Sequence, residues 1–167
     1  MTPAVAGIAL ALAVAACGPE RAPWPPAPAA VRLGEHACAA CRMIISDERF
    51  AAQHHDRSGR VDRFDDLGCL FDAAGGAPID PQAVFVRGRH GWVRGDRAVV
   101  VRAPGIHSPM GYALMAFAEH AAADREASRH RAAETMPLHD LLAHPARRPA
   151  APHLRTMHDL HREDEAK

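Results

Sequence analysis

Prolines at 19, 23, 25, 26 and 28, set among alanines, take the first part of this chain out of any folded core. Proline lacks a backbone N–H and fixes its own φ, so such a run is extended and unpacked. Folding is thereby expected to begin near Val31. A second limit comes at the other end, where Pro145, Pro149 and Pro152 lead into the charged stretch Arg162-Glu163-Asp164-Glu165. The spacing predicts a folded region over 32–144, a tether over 17–31 and a mobile tail over 145–167.

Ahead of the tether, Ile8 to Ala16 are apolar or small throughout. A membrane-spanning helix needs ~20 such residues, so the run is too short to span. A short apolar segment ending in small residues reads as a secretion signal over 1–16, although no Lys or Arg precedes it. It closes on Val14-Ala15-Ala16-Cys17, which resembles the lipobox of bacterial lipoproteins. That resemblance implies cleavage before Cys17, lipidation of its thiol and a place on the periplasmic side of the cell envelope. Gly18 carries no aspartate-type retention signal, so the outer membrane is the default expectation. With Cys17 lipidated, Cys38, Cys41 and Cys69 remain. Three thiols cannot all pair within one chain, so at least one is expected to be free or bound to a metal.

Twenty basic residues balance twenty acidic ones, and no basic cluster stands out, which argues against nucleic-acid binding. Short β-compatible runs alternate with turn residues. A strand is predicted within Met43 to His54, a turn at Gly59 and a returning strand at Arg60 to Phe64. Asp65 or Asp66 caps a helix over Leu67 to Ala74 that Gly75-Gly76 ends, and Ala83 to Val86 is a strand. The pattern then recurs: Trp92-Val93, a turn at Gly95-Asp96, strands at Ala98 to Val101 and Tyr112 to Phe117, a helix over Glu119 to Ala133, and Met136 to Leu142 pairing back or continuing as helix. An α+β chain of two strand-rich halves, about 36–90 and 91–143, is the expected organisation.

The chemistry centres on Cys38-Ala39-Ala40-Cys41. A CxxC serves as a redox pair, as half of a zinc site or as a soft-metal hook. A c-type haem would need His where Arg42 stands. Zinc would want a second pair of ligands. A thioredoxin-like pair belongs at a helix start after a strand, whereas this one lies close to the tether. Met43 favours copper(I), since thioether and thiolate suit that soft cation. In an extended segment Cys41 and Met43 share a face. The plainer alternative is a small Cys38–Cys41 disulfide with Met43 as packing. Cys69 reads as a core thiol on the apolar face of its helix. Adjacent His54 and His55 point to opposite faces, and His107 precedes Met110 by three residues as an auxiliary candidate. His153, Met157, His158 and His161 in the tail read as polar decoration with weak metal affinity.

The run from His36 to Gln53 resembles the metal-binding segment of the NosL family, copper chaperones for nitrous oxide reductase maturation. The likeness continues in Phe64-Asp65-Asp66-Leu67-Gly68-Cys69 and in Ser108-Pro109-Met110-Gly111 followed by Ala116-Phe117-Ala118. It covers about 36–120. Two departures stand out: Arg42 occupies a position where the family carries glycine, and Arg131 to Thr135 replaces a glycine pair. The resemblance implies two ββαβ-like modules and a Cu(I) site made of Cys41, Met43 and Met110, with Cys38 assisting the site or protecting Cys41. It also implies delivery to the membrane-bound maturation complex of periplasmic nitrous oxide reductase, namely a NosD-type component and its ABC transporter. No nucleophile–base pairing or phosphate loop is visible, and a chaperone needs neither. Two other functions fit the residues: a periplasmic thiol-disulfide oxidoreductase using Cys38 and Cys41, or a lipoprotein that buffers copper.

Overall fold

Turn chemistry sets the architecture. Asp56 Oδ1 accepts hydrogen bonds from the Ser58 and Arg60 amides, and Gly59 takes φ 92°, a left-handed value open to glycine. This tight turn joins strand β1 (Ala52–His55) to β2 (Val61–Phe64). The structure is a computed structural model describing residues 27–150 together with Trp24 and Pro152. Helix α1 (Leu67–Ala73) follows, with Asp66 accepting from the Gly68 amide as its N-cap. Strands β3 (Val84–Gly88) and β4 (Gly91–Arg94) form a hairpin. Then come β5 (Val99–Arg102), β6 (Leu114–Phe117), α2 (His120–Ala127), β7 (Glu134–Pro137) and α3 (Leu138–Ala143).

Two antiparallel sheets result, ordered β2-β1-β3-β4 and β6-β5-β7. In each, the first strand of the module lies between the second strand and the strand after the helix. The α+β class and the pair of ββαβ modules are therefore present. Alternation on β5 explains how the second sheet joins them. Val100 lies in the main core with Phe64, Leu70, Val86, Leu114 and Leu142, whereas Val99 and Val101 lie in a second cluster with Phe117 and Ala123 of α2. Strand β5 is apolar on both faces, so Val99-Val100-Val101 reads as a continuous hydrophobic run. Burying Leu138, Leu141 and Leu142 of α3 fully is worth about 1.5–3 kcal/mol each.

Several boundaries differ from the sequence expectation. Trp92 and Val93 belong to β4 and pair with Arg87 and Val86, so they complete the first sheet instead of opening the second module. The predicted strand from Met43 shrinks to β1, because Asp47 accepts from the Arg49 amide and caps a single 3-10 turn over Glu48–Phe50. The helix at Glu119 stops at Ala127 instead of Ala133; the chain then turns, and Ala132 takes φ 54° before β7. The tether is held earlier than its prolines suggest. Buried Gln53 donates from Nε2 to the Ala29 carbonyl at 2.6 Å and accepts from the Ala29 amide at 2.9 Å. At the other end, Arg148 still docks, donating to the Ala77, Leu141 and Leu142 carbonyls at 2.8 Å. The leader, Cys17 and the residues after 152 lie outside the described residues.

Candidate metal centre

The first two thiols sit on a tight turn. An isolated bridge pairs Ala37 with Ile44, the Cys38 amide donates to the Met43 carbonyl at 2.8 Å, and the Arg42 amide donates to the Cys38 carbonyl at 3.1 Å. Closing this turn puts Arg42 at φ 66°. That is a left-handed conformation, costing a non-glycine residue about 1 kcal/mol. A glycine would adopt this φ freely, whereas Arg42 occupies the place with strain while its side chain stays exposed. The turn is tied to β2 by the Ala39 amide, which donates to the Arg63 carbonyl at 2.8 Å.

The third thiol arrives from α1. Cys69 is the third residue of that helix, one turn above its Asp66 cap. The sulfurs of Cys38, Cys41 and Cys69 all lie within 4.8 Å of one another. Cys38 and Cys69 are buried, Cys41 is half-buried, and all three are free thiols. A metal–thiolate bond is about 2.3 Å, so two sulfurs on one ion stand about 4 Å apart. The cluster therefore fits a single soft ion with only small side-chain adjustment.

Hydrogen bonds distribute charge unequally over the sulfurs. Cys69 donates its S–H to Cys38, and the amides of Asp65, Cys41 and Ala40 add further donation against the cost of burial. The pKa of Cys38 is thereby held down, to about 5. Donating to Cys38 pushes the Cys69 thiol up, and burial adds to this. Burial also raises Cys41. Of the three, buried Cys38 is the sulfur whose surroundings favour ionisation, while the more accessible Cys41 is pushed the other way.

Asp66 connects this cluster to the Ser108–Gly111 loop. It is fully buried, and its Oδ2 accepts from Ser108 Oγ at 2.6 Å and from the Met110 amide at 3.1 Å. Burial raises its pKa, while these donors oppose the shift. Asp65 Oδ1 accepts from the Ser46 amide at 2.9 Å. Asp66 thus acts as the helix cap that its position predicts, and both carboxylates also hold neighbouring loop backbone. Met110 is half-buried against the same core as Cys41. Gly68 is required here, since a Cβ on it would meet the Tyr112 ring at 2.0 Å.

Met43 lies on the exposed side of the same turn. It is 56% exposed, next to Ile44 at 48%. The shared face expected for Cys41 and Met43 rested on extended backbone, and the turn replaces that geometry. His107 is exposed, and among the described residues no histidine joins the sulfur cluster. His55 is buried, with Nε2 3.0 Å from Gln53 Oε1, while His54 is half-buried. Cys69 is the member that sequence reasoning placed in the core alone. It is in the core, and its sulfur is also in the cluster. The odd thiol count and its place just inside a capped helix start were the available signals.

The fold and site define a two-module α+β protein with a three-thiol centre suited to a soft metal. Among solved structures, the chain is similar to the crystal structure of the copper chaperone NosL from Shewanella denitrificans. The match has 18% identity and a TM-score of 0.53, and it covers 67% of this chain and 93% of that one. At that identity the likeness establishes the fold. No protein-family model matches the chain, and no curated protein matches it.

Proposed function

We propose that the protein is a metallochaperone that carries copper(I) on its thiols. The observation that carries this reading is the convergence of Cys38, Cys41 and Cys69 within 4.8 Å. Thiolates select Cu(I) among the metals a secreted protein meets, and the shared fold with a copper chaperone agrees with that choice. Cys41 is the sulfur that meets the ion first, since it is the accessible one. Met110, whose amide Asp66 holds at the start of the Cys69 helix, and exposed Met43 would supply thioethers that hold the ion during entry and exit. Transfer is then a ligand exchange: an incoming thiolate or imidazole displaces one sulfur at a time, with no change of oxidation state. We infer further that the recipient is the NosD-type maturation machinery of nitrous oxide reductase. The protein would then be anchored through Cys17 on the periplasmic side of the envelope.

A thiol-disulfide oxidoreductase would need its accessible sulfur to be the thiolate. Here the sulfur whose surroundings favour ionisation is buried Cys38, and accessible Cys41 is pushed the other way. That inverse arrangement favours metal holding over disulfide exchange.

The test is a Cu(I) competition titration that follows thiolate-to-copper absorbance in the near ultraviolet. Wild type is expected to load one Cu(I) onto its thiols. Cys41→Ser should weaken that site by ~100-fold, about 2.8 kcal/mol. Met43→Leu should weaken it by roughly tenfold while thiol exchange with a small disulfide is unchanged. Unaltered affinity in Cys41→Ser would sink the assignment.

A further inference from the structure

The sulfur-bearing turn is tied to β2, at one end of the strand order β2-β1-β3-β4, and the β3–β4 hairpin closes the other end. Beside that hairpin lie two cavities of about 300 and 570 Å³ that share Gly88, Arg89, Phe117, Glu126 and Arg129. Together they form one groove between the hairpin of the first module and β6 and α2 of the second. Small residues leave the space, since Gly91, Ala118 and Ala122 line it. A Cβ on Gly88 would meet Val93 Cγ2 at 3.0 Å and lie 3.8 Å from the Ala118 amide, so the two modules approach closely there.

Charge is concentrated in this groove. The chain as a whole has no net charge, yet five arginines and three glutamates line the two cavities. Glu48 is engaged by Arg87 at 3.3 Å and Glu126 by Arg129 at 2.7 Å, while Arg49 is held by Asp47. Glu119 stands at the start of α2. Among the described residues, exposed Arg89 and Arg125 have no ion-pair or hydrogen-bond partner. Half-buried Trp92 adds an apolar wall, with the Arg87 guanidinium 5.8 Å from its ring centre.

These features select an extended occupant. An exposed arginine–carboxylate pair contributes only ~0–1 kcal/mol, so a small anion on one arginine gains little. A segment carrying several carboxylates engages both free arginines at once. The groove runs beside β4, an edge strand whose outer side pairs with no other strand among the described residues. Such edges accept an added extended chain. Alternation along that chain would turn apolar side chains to Phe117 and Val93 and carboxylates to the arginines.

We propose that this groove docks an extended acidic segment of a partner protein, lying beside β4 with its carboxylates on Arg89 and Arg125. None of the three cysteines lines it, so docking leaves the thiols uncovered. The surface stands independently of the copper reading.

The test uses the full chain carrying Trp24→Phe, which leaves Trp92 as the sole tryptophan. The probe is an acetylated, amidated octapeptide alternating Glu and Val, titrated while Trp92 emission is followed. The peptide should bind with a shift in that emission, and raising salt from about 20 to about 500 mM should weaken binding by roughly tenfold. The double variant Arg89→Ala, Arg125→Ala should bind roughly tenfold more weakly with an unchanged Tm. Absence of binding, an unresponsive Trp92, or equal affinity in the double variant would overturn the proposal. Citrate or phosphate that reproduces the emission shift and displaces the peptide at equal concentration would make this a small-anion site, and would overturn it too. Preference for phosphatidylglycerol vesicles over the peptide would make it a membrane contact, with the same consequence. Cu(I) loading of the thiols, measured separately, bears only on the proposed function.

Discussion

Arg42 carries its consequence in its backbone. At φ 66° it closes the turn that presents Cys38 and Cys41, and it does so against the preference of an L-residue. Arg42→Gly is therefore expected to stabilise the protein by about 0.5–1 kcal/mol, net of the added freedom of the unfolded chain. Chemical denaturation measures this, and a loss of stability would mean that the arginine side chain supports the turn. The same residue shows why the site was only partly legible. The motif Cys41-Arg42-Met43 was readable, but with arginine in the glycine position nothing marked the turn. A strand was the natural reading, and it put Cys41 and Met43 on one face. Cys69 was legible as a buried helical thiol; its closeness to Cys38 depends on a tertiary contact that no local periodicity encodes.

At the scale of elements, the start of α1 does two jobs. Asp66 caps the helix and also holds Ser108 and Met110, joining elements far apart in the chain. Asp66→Ala removes a cap worth about 0.5–2 kcal/mol and leaves buried donors unpaired at about 1–3 kcal/mol each. A loss of about 3 kcal/mol is expected in urea unfolding. A loss below about 1 kcal/mol would show that water or the backbone replaces the carboxylate. Gly68→Ala tests the neighbouring contact. Its methyl would occupy the Tyr112 ring, so the ring or the helix must move, at a cost of about 1–3 kcal/mol or more. Denaturation midpoints of Gly68→Ala alone and combined with Tyr112→Ala separate a collision from a helix-propensity effect. Elements bounded by strong punctuation were readable: Gly59, Asp66 and Gly75-Gly76 framed β2, α1 and the end of β1 closely, while the start of β1 had no such mark. The assignment of β4 to the first sheet was not, because Gly88 to Gly91 makes a two-residue hairpin without an Asn-Gly or Asp-Gly signal.

For the molecule as a whole, His55 links stability to acidity. Burial, then the charges of His54 and Arg63, hold it below its ordinary value of 6.5. Above that value both folded and unfolded chains are neutral there. As pH falls through it, the unfolded chain takes a proton that the folded one refuses, so stability declines toward the folded pKa. The raised carboxyls of Asp65 and Asp66 act in the opposite sense. The contrast with a variant therefore isolates the histidine: the Tm of His55→Phe should fall less between pH 7 and pH 5 than that of wild type. Parallel Tm curves would remove His55 as the acid-sensitive group. The sulfur cluster also bears on the whole chain, because its members come from an N-terminal turn and a distant helix. An ion on those sulfurs is a cross-link that closes the loop between them, stabilising the folded state as its concentration exceeds its dissociation constant. Loaded and emptied molecules then differ in resistance to unfolding and to proteases. On the function proposed above, giving up the ion and loosening the fold become one event, so the protein's lifetime would report whether the ion has been passed on.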